Sequence, residues 1–306
     1  MSPAIALPEY KLTDTPTARS ITIGAWRVTA TTAPIADATQ RDALQADTGL
    51  PPPEMYFASN RLEIVHAPTG WTYAFTARDA LHGVRVGPSQ PGDGAVKVGY
   101  ADAWLRSRCA PDALGSTEPA RPYDWTYTTA YGGHVADAGA CIGTAWADAH
   151  GQHAIPVAEL TRPDPILFYA EVPLFEDELH DNGASHLLVR IRVMPTCIFV
   201  LCRAALRVDS VLFRVHDTRL YASLSAAPPM LIRETSGWEA PYDRVGRRLP
   251  RPDDKTPLTD PNFIAKVLTE LPKELTQSEG AGTGWRELGT RVEVATLVDV
   301  GALKIE

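Results

Sequence analysis

The chain has 306 residues, of which 44% are apolar and 22% are charged, a balance typical of a globular protein with a substantial core. Its 29 lysines and arginines against 37 aspartates and glutamates give a net charge of −8, which argues against nucleic acid or an anionic membrane as the main partner. Four cysteines are too few for a disulfide framework, and we find neither a signal peptide nor an apolar run of ~20 residues. We therefore exclude secreted, membrane and fibrous classes and expect a cytoplasmic protein, with the nucleus left open.

The first half of the chain is predicted to alternate between short strands and short helices. Its elements, in chain order, are a strand at Arg19–Thr31, a helix at Ala36–Thr48 ended by Gly49, a hairpin of Asn60–His66 with Trp71–Phe75, a helix at Arg78–Val84, a strand at Ala95–Tyr100 and a helix at Ala101–Ser107. Gly132–Gln152 is small and polar in composition, so we interpret it as a surface insertion.

The most regular pattern lies between Ile166 and Tyr221, where apolar and polar residues alternate with a period of two. Leu187, Val189 and Ile191 share one face of a predicted strand, and Asp181-Asn182-Gly183 favours a hairpin turn before it. The pattern predicts an antiparallel meander that continues to about Arg233.

The end of the chain differs in composition. Gly246–Thr259 is charged and rich in proline, which is typical of a linker, and Asp260-Pro261 is a good start for a helix that reaches about Leu275. Arg291–Lys304 has strand-like alternation. We divide the chain into a flexible N-terminus (1–19), a main domain (20–245) and a variable tail with one helix (246–306).

The strands of the meander are rich in arginine. Between His186 and Tyr221 only Asp209 and Asp217 oppose six arginines, which are Arg190, Arg192, Arg203, Arg207, Arg214 and Arg219. On adjacent strands these side chains would line a basic face that suits an acidic peptide or a chain terminus, because guanidinium groups pair well with carboxylates. Surface salt bridges with the acidic run from Glu176 to Asp181 are an equally weighted alternative.

Two other functions are weaker alternatives. Glu176, Glu178 and His180 share a face if their segment is a strand, which would allow a metal-dependent enzyme, but no HExxH or CxxC spacing supports it. Cys197 and Cys202 are five residues apart, so we expect them in the core on opposite faces of one strand. A nucleic-acid binder using the arginines is opposed by the net charge.

Several motifs occur along the chain in a distinctive order. They are Pro53-Glu54-Met55-Tyr56-Phe57, Asp79-Ala80-Leu81, Pro122 to Thr129, Phe175 to Asp181, Arg190 to Pro195, and Asp217-Thr218-Arg219-Leu220-Tyr221. Together they resemble the TIPRL family of TOR signalling pathway regulators, which interact with type 2A protein phosphatases. The similarity covers about Ser20 to Val245, and several motifs in order are far more specific than one.

The resemblance implies an α+β fold with a β-rich, sandwich-like core of two antiparallel layers flanked by short helices. It also implies a non-enzymatic regulator without a cofactor, which binds catalytic subunits of type 2A, 4 and 6 serine/threonine phosphatases in TOR signalling. Family members can form ternary assemblies with the alpha-four/Tap regulatory subunit, and their cleft can receive the phosphatase tail. Neither nucleic acid nor a membrane is an expected partner.

The resemblance also assigns partner-binding positions. Those that the family is thought to use correspond to Asp79, Ile155 and Asp217, and Val215 stands where the family commonly has methionine. With the arginines of the meander, the predicted partner-binding set is Asp79, Ile155, Arg190, Arg192, Arg214, Val215, Asp217 and Arg219. Asp79 would alternatively cap its helix, and Asp217 would alternatively pair with a neighbouring arginine.

Overall fold

The computed structural model describes residues 7–84, 127, 129–136, 145–149, 151–278 and 286–297. The strand predicted at Ala95–Tyr100 and the helix predicted at Ala101–Ser107 lie outside these residues. Within the described ranges the strands form two antiparallel sheets, of six and eight strands, and the helices are few and mostly short. This confirms the predicted α+β, sheet-rich class.

The six-stranded sheet is built mainly from the N-terminal part of the chain. Its strands lie in the order β1 (Tyr10–Asp14), β2 (Ala18–Ile23), β3 (Trp26–Thr31), β5 (Arg61–His66), β6 (Trp71–Thr76) and β7 (His134–Ala136), while β4 (Met55–Tyr56) belongs to the other sheet. The single strand predicted at Arg19–Thr31 is wrong, because the chain reverses at Gly24. This glycine has a φ of +52°, a conformation that side chains with a Cβ rarely adopt.

The eight-stranded sheet contains the predicted meander. Its strands lie in the order β4, β9 (Phe168–Asp177), β10 (Gly183–Val193), β11 (Cys197–Val208), β12 (Leu212–Ser223), β13 (Met230–Pro241), β14 (Arg286–Thr296) and β8 (Ala147–Asp148). Strands β9 to β14 are each paired to the next in sequence, so long hairpins dominate this sheet.

The two sheets pack face to face around a shared hydrophobic core. Leu187, Val189 and Ile191 point into this core from β10, as their alternation predicts. We call the side of the eight-stranded sheet that faces the core its inner face and the opposite side its outer face. Because side chains alternate along a strand, Arg190 and Arg192 lie on the outer face.

Helices cover two patches of the outer face. At one end, α5 (Pro261–Ser278) and α4 (Tyr242–Gly246) bury apolar residues of β12 and β13. At the other end, the segment around α3 (Val157–Leu160) covers a second apolar cluster. The strand register aligns charged side chains of β10 to β13 in two rows that run across the strands, and both rows lie between the covered patches.

Two further helices pack near the edge of the core. Helix α1 (Ala38–Thr48) begins with a capping box between Asp37 and Gln40 and ends at Gly49, as predicted. Helix α2 (Ala77–His82) follows β6 and has Thr76 as its N-cap. Among the described residues, no helix combines the length and the apolar character needed to cross a membrane.

The segments predicted as a flexible N-terminus, a variable tail and a surface insertion all supply strands to the two sheets. Strand β1 extends the six-stranded sheet from within the predicted flexible N-terminus. The predicted tail supplies both α5 and β14, and β14 pairs with β13 over most of its length. The predicted surface insertion at Gly132–Gln152 supplies β7 to one sheet and β8 to the other.

A candidate partner-binding face

The charged rows on the outer face have one buried carboxylate at their centre. Asp217 on β12 is 1% exposed and lies opposite Arg203 of β11. Arg203 donates to both of its oxygens, from Nε at 2.6 Å and from Nη2 at 2.7 Å, and Arg219 donates to Oδ2 at 2.8 Å. This bidentate geometry is the strongest arrangement of a guanidinium and a carboxylate. Asp217 therefore orients two arginines and has no surface of its own.

Arg219 connects the centre of this cluster to β13. Its Nη1 donates to Glu234 at 2.9 Å and to Ser236 at 3.0 Å, and its guanidinium carbon lies 6.0 Å from the ring centroid of Trp238. About a quarter of the Arg219 side chain stays exposed. The guanidinium is thus fixed in position while it still faces solvent.

Arg190 extends the cluster towards β9 and α5. Its Nε donates to Glu171 at 2.9 Å, and its Nη1 donates to the side-chain oxygen of Asn262 at 2.9 Å. Arg203 Nη1 donates to the same oxygen at 3.0 Å. We call the set of Arg190, Arg203, Asp217, Arg219 and Glu234 the arginine face.

Two predicted arginines lie elsewhere. Arg192 lies on the outer face, but its guanidinium carbon is 5.6 Å from the ring centroid of Phe199. This places it away from the acidic residues of the arginine face. Arg214 points to the opposite, inner face of β12, where it is 5% exposed and its Nε donates to Glu239 at 2.6 Å. The prediction of a single basic surface is therefore wrong for Arg214.

Acidic residues balance most of these arginines, and the pairing of Asp217 with a neighbouring arginine, one of the predicted alternatives, is among these contacts. The partners are Glu171, Asp209, Asp217, Glu234 and Glu239, not the run from Glu176 to Asp181. The face is therefore an ordered network of opposite charges with three partly exposed guanidinium groups, those of Arg190, Arg203 and Arg219.

Two other predicted partner-binding residues are buried. Val215 is fully buried beneath α5, packed with residues such as Ile264 and Leu268. Ile155 is 7% exposed and packs in the cluster that includes Tyr221 and Ile232. In this conformation neither side chain offers a surface, and each packs beneath a segment that borders the arginine face.

Asp79 lies away from the eight-stranded sheet, in helix α2 after β6, and its side chain is partly exposed. It stands in the first turn of α2, where its backbone N–H donates to the Thr76 hydroxyl at 3.3 Å and its carboxylate accepts from that hydroxyl. The carboxylate also lies 3.1 Å from Nδ1 of His134, and 40% of the side chain is exposed. The capping interpretation and the binding interpretation are thus compatible for this residue.

The segment around Tyr131 connects the two regions. The Tyr131 hydroxyl accepts from the Thr76 backbone N–H at 3.1 Å and lies 3.2 Å from His134 Nδ1. Its carbonyl oxygen accepts from the Thr218 hydroxyl at 3.1 Å, next to Asp217 on β12. One short segment therefore fixes the position of α2 relative to the strand that carries the arginine face.

The structure does not favour a metal site or a reactive thiol. Strand β9 ends at Asp177, so Glu176, Glu178 and His180 do not continue along one strand, and no group of metal-binding side chains is found among the described residues. Cys197 and Cys202 are buried in different clusters on opposite faces of β11, as predicted. Burial raises the pKa of Cys197 to about 11, so its thiol is protonated at neutral pH.

Sequence reasoning missed three polar residues at these sites. Asn262 and His134 carry no motif, and only the fold brings them to Arg190 and Asp79. The third is His186, which begins the arginine-rich stretch of the sequence but carries no signal of contact with the arginines. It lies on the outer face, and burial together with Arg190 and Arg203 lowers its pKa to about 4.

Comparison with known proteins identifies the family. A family model described as the TIP41-like family matches residues 55–246. The chain is 36% identical to the TIP41-like protein of Homo sapiens over 251 residues, which are 82% of this chain and 85% of that protein. It is 33% identical over 282 residues to the type 2A phosphatase activator TIP41 of Saccharomyces cerevisiae, covering 87% and 74% of the two chains. It is 32% identical over 238 residues to the type 2A phosphatase activator tip41 of Schizosaccharomyces pombe, covering 78% and 88%. These matches confirm the resemblance derived from the motifs, and the chain belongs to the TIP41-like family.

Proposed function

We propose that this protein is a non-enzymatic regulator of type 2A serine/threonine phosphatases, which acts by binding their catalytic subunits. Family membership supports the proposal, since the two yeast relatives are named type 2A phosphatase activators. The finer parts of the proposal are a role in TOR signalling, a cytoplasmic location, binding to type 4 and type 6 catalytic subunits, and ternary assembly with an alpha-four/Tap subunit.

The arginine face is the proposed site for the acidic C-terminal tail of the phosphatase. The observation that carries this assignment is the group of partly exposed guanidinium groups held around buried Asp217. Fixed arginines lose little conformational entropy when a ligand carboxylate binds, so they suit a chain that ends in a free carboxylate. The covered patches on either side leave an open strip of strand surface between them.

Asp79 is the proposed contact to the catalytic domain. Its carboxylate is exposed at the first turn of α2, and the contacts with Thr76 and His134 restrict its orientation. The Tyr131 segment links α2 to β12. A partner that contacts Asp79 and the arginine face together would therefore meet two surfaces of fixed relative position.

The test is a titration of the purified protein against a type 2A catalytic subunit, with and without the C-terminal tail of that subunit. We expect saturable binding that weakens by at least tenfold, equivalent to about 1.4 kcal/mol, when the tail is removed. If removal of the tail leaves the affinity unchanged, the proposed function stands and the arginine face is rejected as the tail site. An absence of binding to the intact subunit would reject the proposed function and leave an acidic peptide from another protein as the alternative partner.

A further inference from the structure

One contact on the arginine face places a neutral oxygen between two guanidinium groups. Oδ1 of Asn262 accepts from Nη1 of Arg190 at 2.9 Å and from Nη1 of Arg203 at 3.0 Å. Two guanidinium groups that converge on one oxygen are typical of sites for a carboxylate or a phosphate, because charged oxygens accept such bonds more strongly than an amide oxygen does. Asn262 is therefore a weak intramolecular ligand in a position suited to an anion.

A buried imidazole beside this contact points to the same site. Nε2 of His186 is buried and has no hydrogen-bond partner among the described residues. His186, Arg190 and Arg203 line one cavity, which also touches Pro261 at the start of α5 and measures only about 10 Å³. A buried polar nitrogen without a partner costs free energy, so a ligand oxygen that enters from the Asn262 side would stabilise it.

Asn262 can leave this position at small cost. Its side chain is exposed, whereas the residues that anchor α5 to the outer face, among them Ile264 and Leu268, are buried. A rotation of the Asn262 side chain would release Nη1 of Arg190 and Nη1 of Arg203 while their ion pairs with Glu171 and Asp217 and the docking of the helix persist.

We propose that Arg190 and Arg203 form a binding site for one anionic group, a carboxylate or a phosphate, and that Asn262 occupies this site in the free protein and is displaced when the partner binds. The inference rests on the proposed function for the identity of the partner and deepens it by naming the chemistry recognised and an intramolecular competitor. It also predicts that His186 contacts the bound anion. Either the neutral imidazole donates a hydrogen bond from Nε2, or the anion stabilises the protonated imidazole.

Two substitutions at one position test the competitor. Asn262→Ala removes the amide oxygen, and we expect the variant to bind the type 2A catalytic subunit about tenfold more tightly than the unmodified protein. Asn262→Asp places a carboxylate between the arginines, and we expect binding about tenfold weaker. Glu270→Ala, an exposed change on the same helix, is the matched control and should leave the affinity unchanged. Equal affinities for the two Asn262 variants would overturn the inference while the proposed function stands.

A second measurement does not depend on the phosphatase. Inorganic phosphate and acetate are titrated separately into the unmodified protein and both Asn262 variants, and the His186 imidazole is followed by NMR. We expect saturable chemical-shift changes of His186 that are strongest in Asn262→Ala, weaker in the unmodified protein and absent in Asn262→Asp. The anion that gives the stronger response, phosphate or acetate, is the preferred ligand. No saturable shift of His186 in Asn262→Ala would reject the anion site, even if the phosphatase binds.

Discussion

Asp217 and Asp79 are both predicted to bind the phosphatase, but the structure gives them opposite environments. Asp217 is 1% exposed and its oxygens are held by two arginines, whereas Asp79 is 40% exposed and contacts a threonine and a histidine. Asp217 therefore supports the binding surface from beneath by orienting two arginines, whereas Asp79 forms part of the surface itself. Substitutions at the two positions should therefore weaken binding for different reasons.

The largest expected effect follows the removal of the buried charge. Asp217→Asn leaves Arg203 and Arg219 without their shared carboxylate, and breaking a buried ion pair from one side costs about 3–5 kcal/mol. We expect the free energy of unfolding, measured by urea denaturation, to fall by about 3 kcal/mol, and partner binding to fall with it. A variant that loses affinity at unchanged stability would show that Asp217 contacts the partner directly.

The next effect concerns pH and lies on the inner face of the same strand. Burial, with Arg214 nearby, lowers the pKa of His216 to about 4, from an ordinary value near 6.5. As the pH falls below 6.5, the His216 imidazole is therefore protonated in the unfolded chain but not in the folded chain. Its contribution to the free energy of unfolding is complete above pH 6.5 and is lost as the pH falls towards 4. The loss approaches about 3 kcal/mol for a shift of this size. Denaturation at several pH values should show a shallower decline of the free energy of unfolding for His216→Gln than for the unmodified protein. An identical decline would contradict the assignment of this pH dependence to His216.

A smaller effect on stability but a clear effect on binding is expected for Arg190. Arg190→Met removes a partly exposed guanidinium, which should change stability by less than about 1 kcal/mol. Binding of the tailed catalytic subunit should weaken by about tenfold, as measured by calorimetry, because the proposed anion site loses one of two arginines. Arg214→Met is the matched control on the inner face: it should lower stability and leave the tail dependence of binding intact.

The smallest effect on stability is expected at Asp79. Asp79→Asn keeps a side chain that can accept from Thr76 and loses the negative charge, which faces His134 and is worth about 0.3–1 kcal/mol in the first turn of α2. Affinity for the catalytic domain should nevertheless fall, and it should fall equally for subunits with and without the tail. His134→Gln separates orientation from charge, because it retains the Asp79 carboxylate. If Asp79→Asn binds as well as the unmodified protein, Asp79 only caps its helix.

Much of the fold could be predicted because its signals are local. The alternation of Leu187, Val189 and Ile191 fixed which side of β10 faces the core, and Gly49 correctly marked the end of α1. The hairpin reversal at Gly24 was missed because a single glycine between Ile23 and Ala25 carries no strong turn signal. The strands inside the predicted insertion were missed because their pairing partners, β6 and β14, are distant in sequence.

The candidate site was predicted only in part, and one error was avoidable. Arg214 and Arg219 are five residues apart on one strand, so they must lie on opposite faces, by the same parity that correctly separated Cys197 from Cys202. The contact between Asn262 and Arg190 could not be foreseen, since it depends on how α5 docks on the outer face. Parity is a property of the strand, whereas docking is a property of the assembled fold.

The pairing of β14 with β13 has a consequence for how the chain avoids self-association. Strand β13 is 12 residues long, and β14 covers its far edge across most of that length. In the described part of the chain, only the two-residue β8 follows β14 in the sheet. A chain cut after residue 245 would leave β13 as a long row of unsatisfied backbone donors and acceptors, a template on which strands of other copies can assemble. Strand β14 thus covers the edge of β13 within the same chain, and deletion of residues 246–306 should first be noticed as turbidity.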